Sequence, residues 1–149
     1  MFIVVDTNII YSVLLSKGEK FSVFFLNSIL NKFQFAAPEF IFFEIGKHFE
    51  DIIGRSKLTK EELSEVFSFL KSQIEIVPFS DFNSYASEAE KLSPHEKDVQ
   101  YFALSLALNK APIWSDEKAF LKQNEIEIFN KDKLLEEIKK SFSSSQRQV

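Results

Sequence analysis

Four places along the chain set a carboxylate where an α/β sheet could present it to a ligand: Asp6, Glu44, Asp98 and the pair Asp116-Glu117. Asp6 is the sharpest signal. Phe2-Ile3-Val4-Val5 is an unbroken apolar run that stops at Asp6-Thr7-Asn8. Such a run reads as a buried strand, and an acid just past its end lies at the carboxyl edge of a sheet, where open α/β folds bind ligands. Asp116 and Glu117 follow a second short run, Pro112-Ile113-Trp114-Ser115. Glu44 interrupts the apolar stretch Phe40-Ile41-Phe42-Phe43-Glu44-Ile45, and Asp98 stands just before the apolar positions 99–108. Carboxylates collected from distant parts of a chain are what a hard divalent cation requires, and metal-assisted phosphodiester hydrolysis uses such a set.

Each acid also has a purely structural account. Asp6 serves equally as a strand stop or as N-cap of a helix starting at Thr7. Glu44 could sit at an edge with its carboxylate in water, since burying it unpaired is costly. Asp98 suits a first helical turn through the macrodipole alone, and Asp116 or Glu117 could cap the short helix after them. Taken together they place acids after two strands and on two helices, which capping by itself does not predict. His48, one turn beyond Glu44, is an optional substrate contact.

Composition narrows the field. The 149 residues fit one domain, with 45% hydrophobic and 27% charged residues. The 18 phenylalanines fall mostly at helical or strand spacing and read as core. There is no cysteine, which excludes disulfides, thiol catalysis and thiolate metal sites. The three glycines, Gly18, Gly46 and Gly54, are too scattered for a phosphate-cradling loop or a dinucleotide fingerprint. Asp6 interrupts the N-terminal apolar run, so neither a signal peptide nor a membrane span is expected, consistent with a cytoplasmic protein. A net charge of −4 is indecisive about nucleic acid, because several acids concentrated in one cation-loaded site leave the remaining surface nearer neutral.

The elements that must position these acids alternate. Strands are expected at 2–5, 33–37, 74–77, 112–115 and 126–129. Helices are expected at 7–17, 19–32, 40–54, 59–73, 82–92, 94–109, 118–123 and 132–142, with Pro38 in the first turn of the third and residues 143–149 as a disordered tail. Thr59 and Glu62 form a capping-box signature. This alternation implies one α/β domain, 1–142, around a parallel sheet of about five strands with right-handed crossovers.

Val4-Val5-Asp6-Thr7-Asn8, the acid in Phe43-Glu44-Ile45, the run Glu96-Lys97-Asp98-Val99-Gln100-Tyr101-Phe102-Ala103-Leu104-Ser105-Leu106-Ala107-Leu108, and Ala111-Pro112-Ile113-Trp114-Ser115-Asp116-Glu117-Lys118-Ala119-Phe120 together resemble the PIN domain family, in order and in separation. The resemblance implies a three-layer α/β/α sandwich with a central parallel sheet in the order 3-2-1-4-5. It implies a Mg²⁺- or Mn²⁺-dependent ribonuclease, in many members the toxin of a toxin–antitoxin pair, leaving a 5′-phosphate and a 3′-hydroxyl. Asp6, Glu44 and Asp98 fall on the family's first three acidic positions, Thr7 and Asn8 on their usual followers, and Ser115 on its loop-ordering Thr or Ser. The fourth position departs from pattern: ungapped, Glu117 takes the usual Asp and Asp116 the variable residue, so either could be the fourth ligand. An RNA substrate, an antitoxin partner and a homodimer formed through the Phe-rich second and third helices are the expected partners. Lys17, Lys20, Lys47, Arg55, Lys57, Lys110, Lys118 and Lys122 are candidate phosphate contacts.

Two other classes compete. A catalytically weak module using the same fold to bind RNA or protein would carry the same motifs. A receiver domain also needs an acid after its first strand, but the acid pair there is missing, and a haloacid-type phosphatase would need Asp where Asn8 stands.

Overall fold

The computed structural model describes residues 1–147. Five strands, β1 (Phe2–Val5), β2 (Gln34–Pro38), β3 (Ile74–Val77), β4 (Ile113–Trp114) and β5 (Ile128–Phe129), form an all-parallel sheet in the order β3-β2-β1-β4-β5. The α-helices are α1 (Thr7–Ser16), α2 (Gly18–Leu30), α3 (Phe40–Lys47), α4 (Phe49–Arg55), α5 (Lys60–Gln73), α6 (Ala86–Leu92), α7 (Val99–Ala107) and α8 (Lys131–Arg147).

Strand periodicity of two builds the layers. Ile3 and Val5 point into one core with Phe35, Ala37 and Trp114, against apolar residues of α1 to α5 and α8. Val4, Ala36 and Ile113 point into the other, against α6 and α7. A strand buried on both faces must be apolar at every position, which is why β1 reads as a continuous run. Behind the end of β4, the fully buried Trp114 and Phe24 pack at 5.0 Å between centroids, and Phe24 and Phe35 at 4.9 Å. Each such aromatic pair adds about 0.5–1.5 kcal/mol beyond its area burial and fixes the strand end that leads into Ser115.

Several predicted boundaries move. The single helix expected over 40–54 is two, broken at His48, whose φ of −104° and ψ of 11° leave the helical region. Pro38 lies in β2, paired with Val77, and not in the first turn of α3; it ends the strand, past the last pair with β1 at Val4↔Ala36. Two short 3₁₀ turns, Phe79–Asp81 and Asn83–Tyr85, precede α6, and a third, Glu96–Asp98, precedes α7. The short helix after β4 is also 3₁₀, Lys118–Lys122. The capping box is present, with Thr59 Oγ1 accepting from Glu62 N and Glu62 Oε1 from Thr59 N. The last helix continues past 142; of the tail expected at 143–149, residues 148 and 149 lie outside the described residues.

Candidate active site

β1 is the switch point of the sheet: the chain departs to β2 on one side and β4 lies on the other. Crevices open at the carboxyl ends of strands where order reverses. The register Val5↔Trp114 sets the next residues, Asp6 and Ser115, side by side at this opening. Asp6 N donates to Trp114 O at 3.1 Å, extending the ladder to the acid itself.

The Asp6 carboxylate is 3% exposed and held at both oxygens. Oδ2 accepts from Ser115 Oγ at 2.7 Å, and Oδ1 accepts from Asn8 N at 3.3 Å as the N-cap of α1. Ser115 Oγ in turn accepts the Glu117 amide at 3.0 Å, and Asn8 Nδ2 donates to Glu117 Oε1 at 3.4 Å. The Asp-Thr-Asn and Ser-x-Glu motifs therefore close into one hydrogen-bonded ring, across a sequence separation no local pattern reveals.

Asp98 is 8% exposed at the junction of the 3₁₀ turn and α7. Burial raises the carboxyl of Asp6 above its ordinary value, against the Ser115 and Asn8 hydrogen bonds and with the charges of Asp98 and Glu117. Burial likewise raises Asp98, against the opposing influence of Lys97 and His95 and with that of Glu117. Asp6, Asp98 and Glu117 thus lie within one another's fields. Neither Asp6 nor Asp98 has an ion-pair partner among the described residues.

Glu44 and Asp116 are each engaged by a lysine. Glu44 is 41% exposed at its side chain and pairs with Lys47 at 3.4 Å; its charge acts on the Tyr11 phenol, which burial and the charges of Glu44 and Asp51 raise. The apolar neighbours of Glu44 in sequence do not bury it, because Phe43 is itself 67% exposed. Asp116 turns to Lys20 Nζ at 2.8 Å, and Lys20 also reaches Ser12 Oγ at 3.1 Å. That pair latches the 115–117 loop onto α2 and α1, leaving Glu117 as the acid of the pair that faces Asp6. His48 is exposed at the break between α3 and α4. A pocket of about 240 Å³, lined by Ser115 to Lys118 with Leu121, Ile128 and Asn130, adjoins the ring.

One further side chain at this opening is not an acid. The Tyr101 hydroxyl bonds to Thr7 Oγ1 and accepts the Thr7 amide at 3.3 Å. Its signal was its spacing: three residues after Asp98, it shares that residue's helical face.

Among the described residues no three histidine, aspartate or glutamate side chains stand close enough together to hold an ion. The donor set nonetheless fits a hard cation: two buried carboxylates and a half-buried third, all oxygen, with no ion-pair partner for either buried acid. Mg²⁺ takes one or two carboxylates and keeps several waters, so a triple clamp is not required.

Comparison with known proteins agrees with this architecture. A family model described as the PIN domain matches residues 4–139. Among solved structures, a chain of the VapBC2 complex from Rickettsia felis bound to a DNA fragment from its promoter superposes with a TM-score of 0.63 at 18% identity, covering 87% of this chain and 98% of that one. No curated protein matches. No helix among the described residues is long and apolar enough to cross a membrane. With the matched region running from β1 through the site to α8, and with the strand order that the motifs imply, the chain belongs to the PIN domain family.

Proposed function

We propose that this chain is a Mg²⁺- or Mn²⁺-dependent endoribonuclease, acting in the cytoplasm as the toxin of a toxin–antitoxin pair. The observation that carries the reading is the buried, ion-pair-free Asp6, with Asp98 and Glu117 in its field at the sheet's switch point. A protein that gathers like charges in a desolvated cleft incurs a free-energy cost that a bound cation relieves.

Asp6 and Asp98 would hold the ion, with the charge of Glu117 beside it. Bound there, a divalent cation supplies neutralisation of phosphate charge and acidification of water. The chain's own residues prepare that site. Ser115 fixes one Asp6 oxygen and orders the Glu117 backbone, while Asn8 steadies the Glu117 carboxylate. Lys118, beside Glu117 in the adjoining pocket, would meet an RNA phosphate. Asp116 acts through Lys20 as a loop latch and Glu44 as an outer acid, so neither is assigned as a primary ligand.

The neighbouring VapBC2 complex supports an antitoxin partner, and exposed Phe25, Ile29 and Phe43 on α2 and α3 support a homodimer. The absence of a closed group of three acids among the described residues favours a second reading, a PIN-fold module that binds RNA or protein without turnover. End-labelled single-stranded RNA, incubated with Mn²⁺ or with EDTA, separates them. The nuclease gives metal-dependent fragments with 5′-phosphate ends; retention of intact RNA at every metal concentration assigns the binding module.

A further inference from the structure

We propose that Tyr101 is a positioning residue that ties the turn bearing Asp6 to the helix that follows Asp98 and thereby sets the affinity for the divalent cation. The proposal rests on the metal-dependent reading above. Tyr101 lies in the first turn of α7, three residues after Asp98, and is 4% exposed. Its hydroxyl bonds to Thr7 Oγ1 and accepts the Thr7 amide, 94 positions away in sequence and immediately after Asp6. Its ring packs at 6.0 Å between centroids against Phe40, the first residue of α3, which carries Glu44 one turn on. One side chain therefore touches the β1–α1 turn and α3 from the helix that carries Asp98.

The first N–H groups of a helix have no partner within it. In α1 the Asn8 amide is met by Asp6 Oδ1 and the Ile9 amide by Asp6 O. The Thr7 amide is met by the phenol. The Asp6 carboxylate has about four acceptor sites, and among the described residues only the Ser115 and Asn8 bonds occupy them. Removing the phenol leaves the Thr7 amide unpaired and frees the turn bearing Asp6 to shift relative to α7. Residues that orient metal ligands in this way typically change affinity or activity by about 10–100-fold when lost.

Tyr101→Phe keeps the ring and its packing on Phe40 and deletes only the hydroxyl. Mn²⁺ binding is measured by titration calorimetry on the full chain, without RNA. The expected result is affinity weakened at least about tenfold, kcat on RNA reduced with KM little changed, and kcat recovered by raising Mn²⁺. Thr7→Val, which removes the partner hydroxyl, should weaken Mn²⁺ binding in the same direction, and Thr7→Ser, which keeps it, should restore wild-type affinity. If Tyr101→Phe does not fold, the Thr7 pair decides alone. Unchanged Mn²⁺ affinity in Tyr101→Phe, or in Thr7→Val should that pair decide, with only a lowered melting temperature, reduces Tyr101 to a packing residue and overturns the proposal while leaving the nuclease reading intact. A wild-type chain that binds no Mn²⁺ overturns both.

Discussion

Ser115→Ala removes one oxygen atom and should expose how much of the site's order depends on it. Ser115 is 4% exposed, and its hydroxyl serves two partners: it donates to Asp6 Oδ2 at 2.7 Å and accepts the Glu117 amide at 3.0 Å. A hydrogen bond to a charged group contributes about 1.5–3 kcal/mol and one to a neutral amide about 0.5–1.5 kcal/mol. Deleting both should cost about 2–4 kcal/mol of metal-free stability at neutral pH, because the cavity left by one hydroxyl is too small for an ordered water with several partners. In a chain of this length that is a fall of roughly 5–15 °C in melting temperature. The Ser115 bond holds down the Asp6 carboxyl, so it favours the ionised form. Its contribution is therefore full above the Asp6 value and shrinks as pH falls and the carboxyl takes up a proton. Urea unfolding of wild type and variant in EDTA, at neutral and at mildly acidic pH, measures both the size and the trend. A stability loss under about 0.5 kcal/mol, or one that grows on acidification, would refute the pairing of Ser115 with an ionised Asp6.

Asp6→Asn should abolish cleavage and leave the fold intact, read by RNA cleavage and circular dichroism, and a fully active variant sinks the assignment. The same substitution should stabilise the metal-free protein at neutral pH: Asp6 is raised on folding, so the folded state binds the proton more tightly than the unfolded chain. Stability then rises as pH falls through the raised value and levels off below the ordinary value of 3.8. The difference between wild type and Asp6→Asn in chemical denaturation should narrow over that window; a constant difference contradicts the burial argument. Asp116→Ala should cost no more than about 1 kcal/mol of stability, the range of a surface ion pair, and retain cleavage. Glu117→Gln should lower cleavage at least about tenfold, and the reverse ranking of these two would give Asp116 the role assigned to Glu117.

The parts of this molecule legible in its sequence are those set by short-range patterning. The apolar run at 2–5 ending on an acid gives β1 and the site's first carboxylate, and the Thr59–Glu62 box gives the start of α5. The break at His48 was not legible, since the apolar period runs on through it. What the sequence could not resolve was set by partners far away. Whether Asp116 or Glu117 faces the cleft depends on Lys20, which captures Asp116 from α2. The role of Tyr101 depends on Thr7, and as an aromatic among apolar neighbours it reads as core. For Glu44 the sequence left both a cation-bound carboxylate and an edge position in water open, and the structure has its side chain 41% exposed beside Lys47.

Anomalous scattering from a manganese-soaked crystal of the wild-type chain tests the central claim most directly. A peak lying between the carboxylates of Asp6 and Asp98, with Glu117 turned toward it and lost in Asp6→Asn, is the predicted result. A peak held instead by Glu44 or Asp116, or one that persists without Asp6, would contradict the site described above.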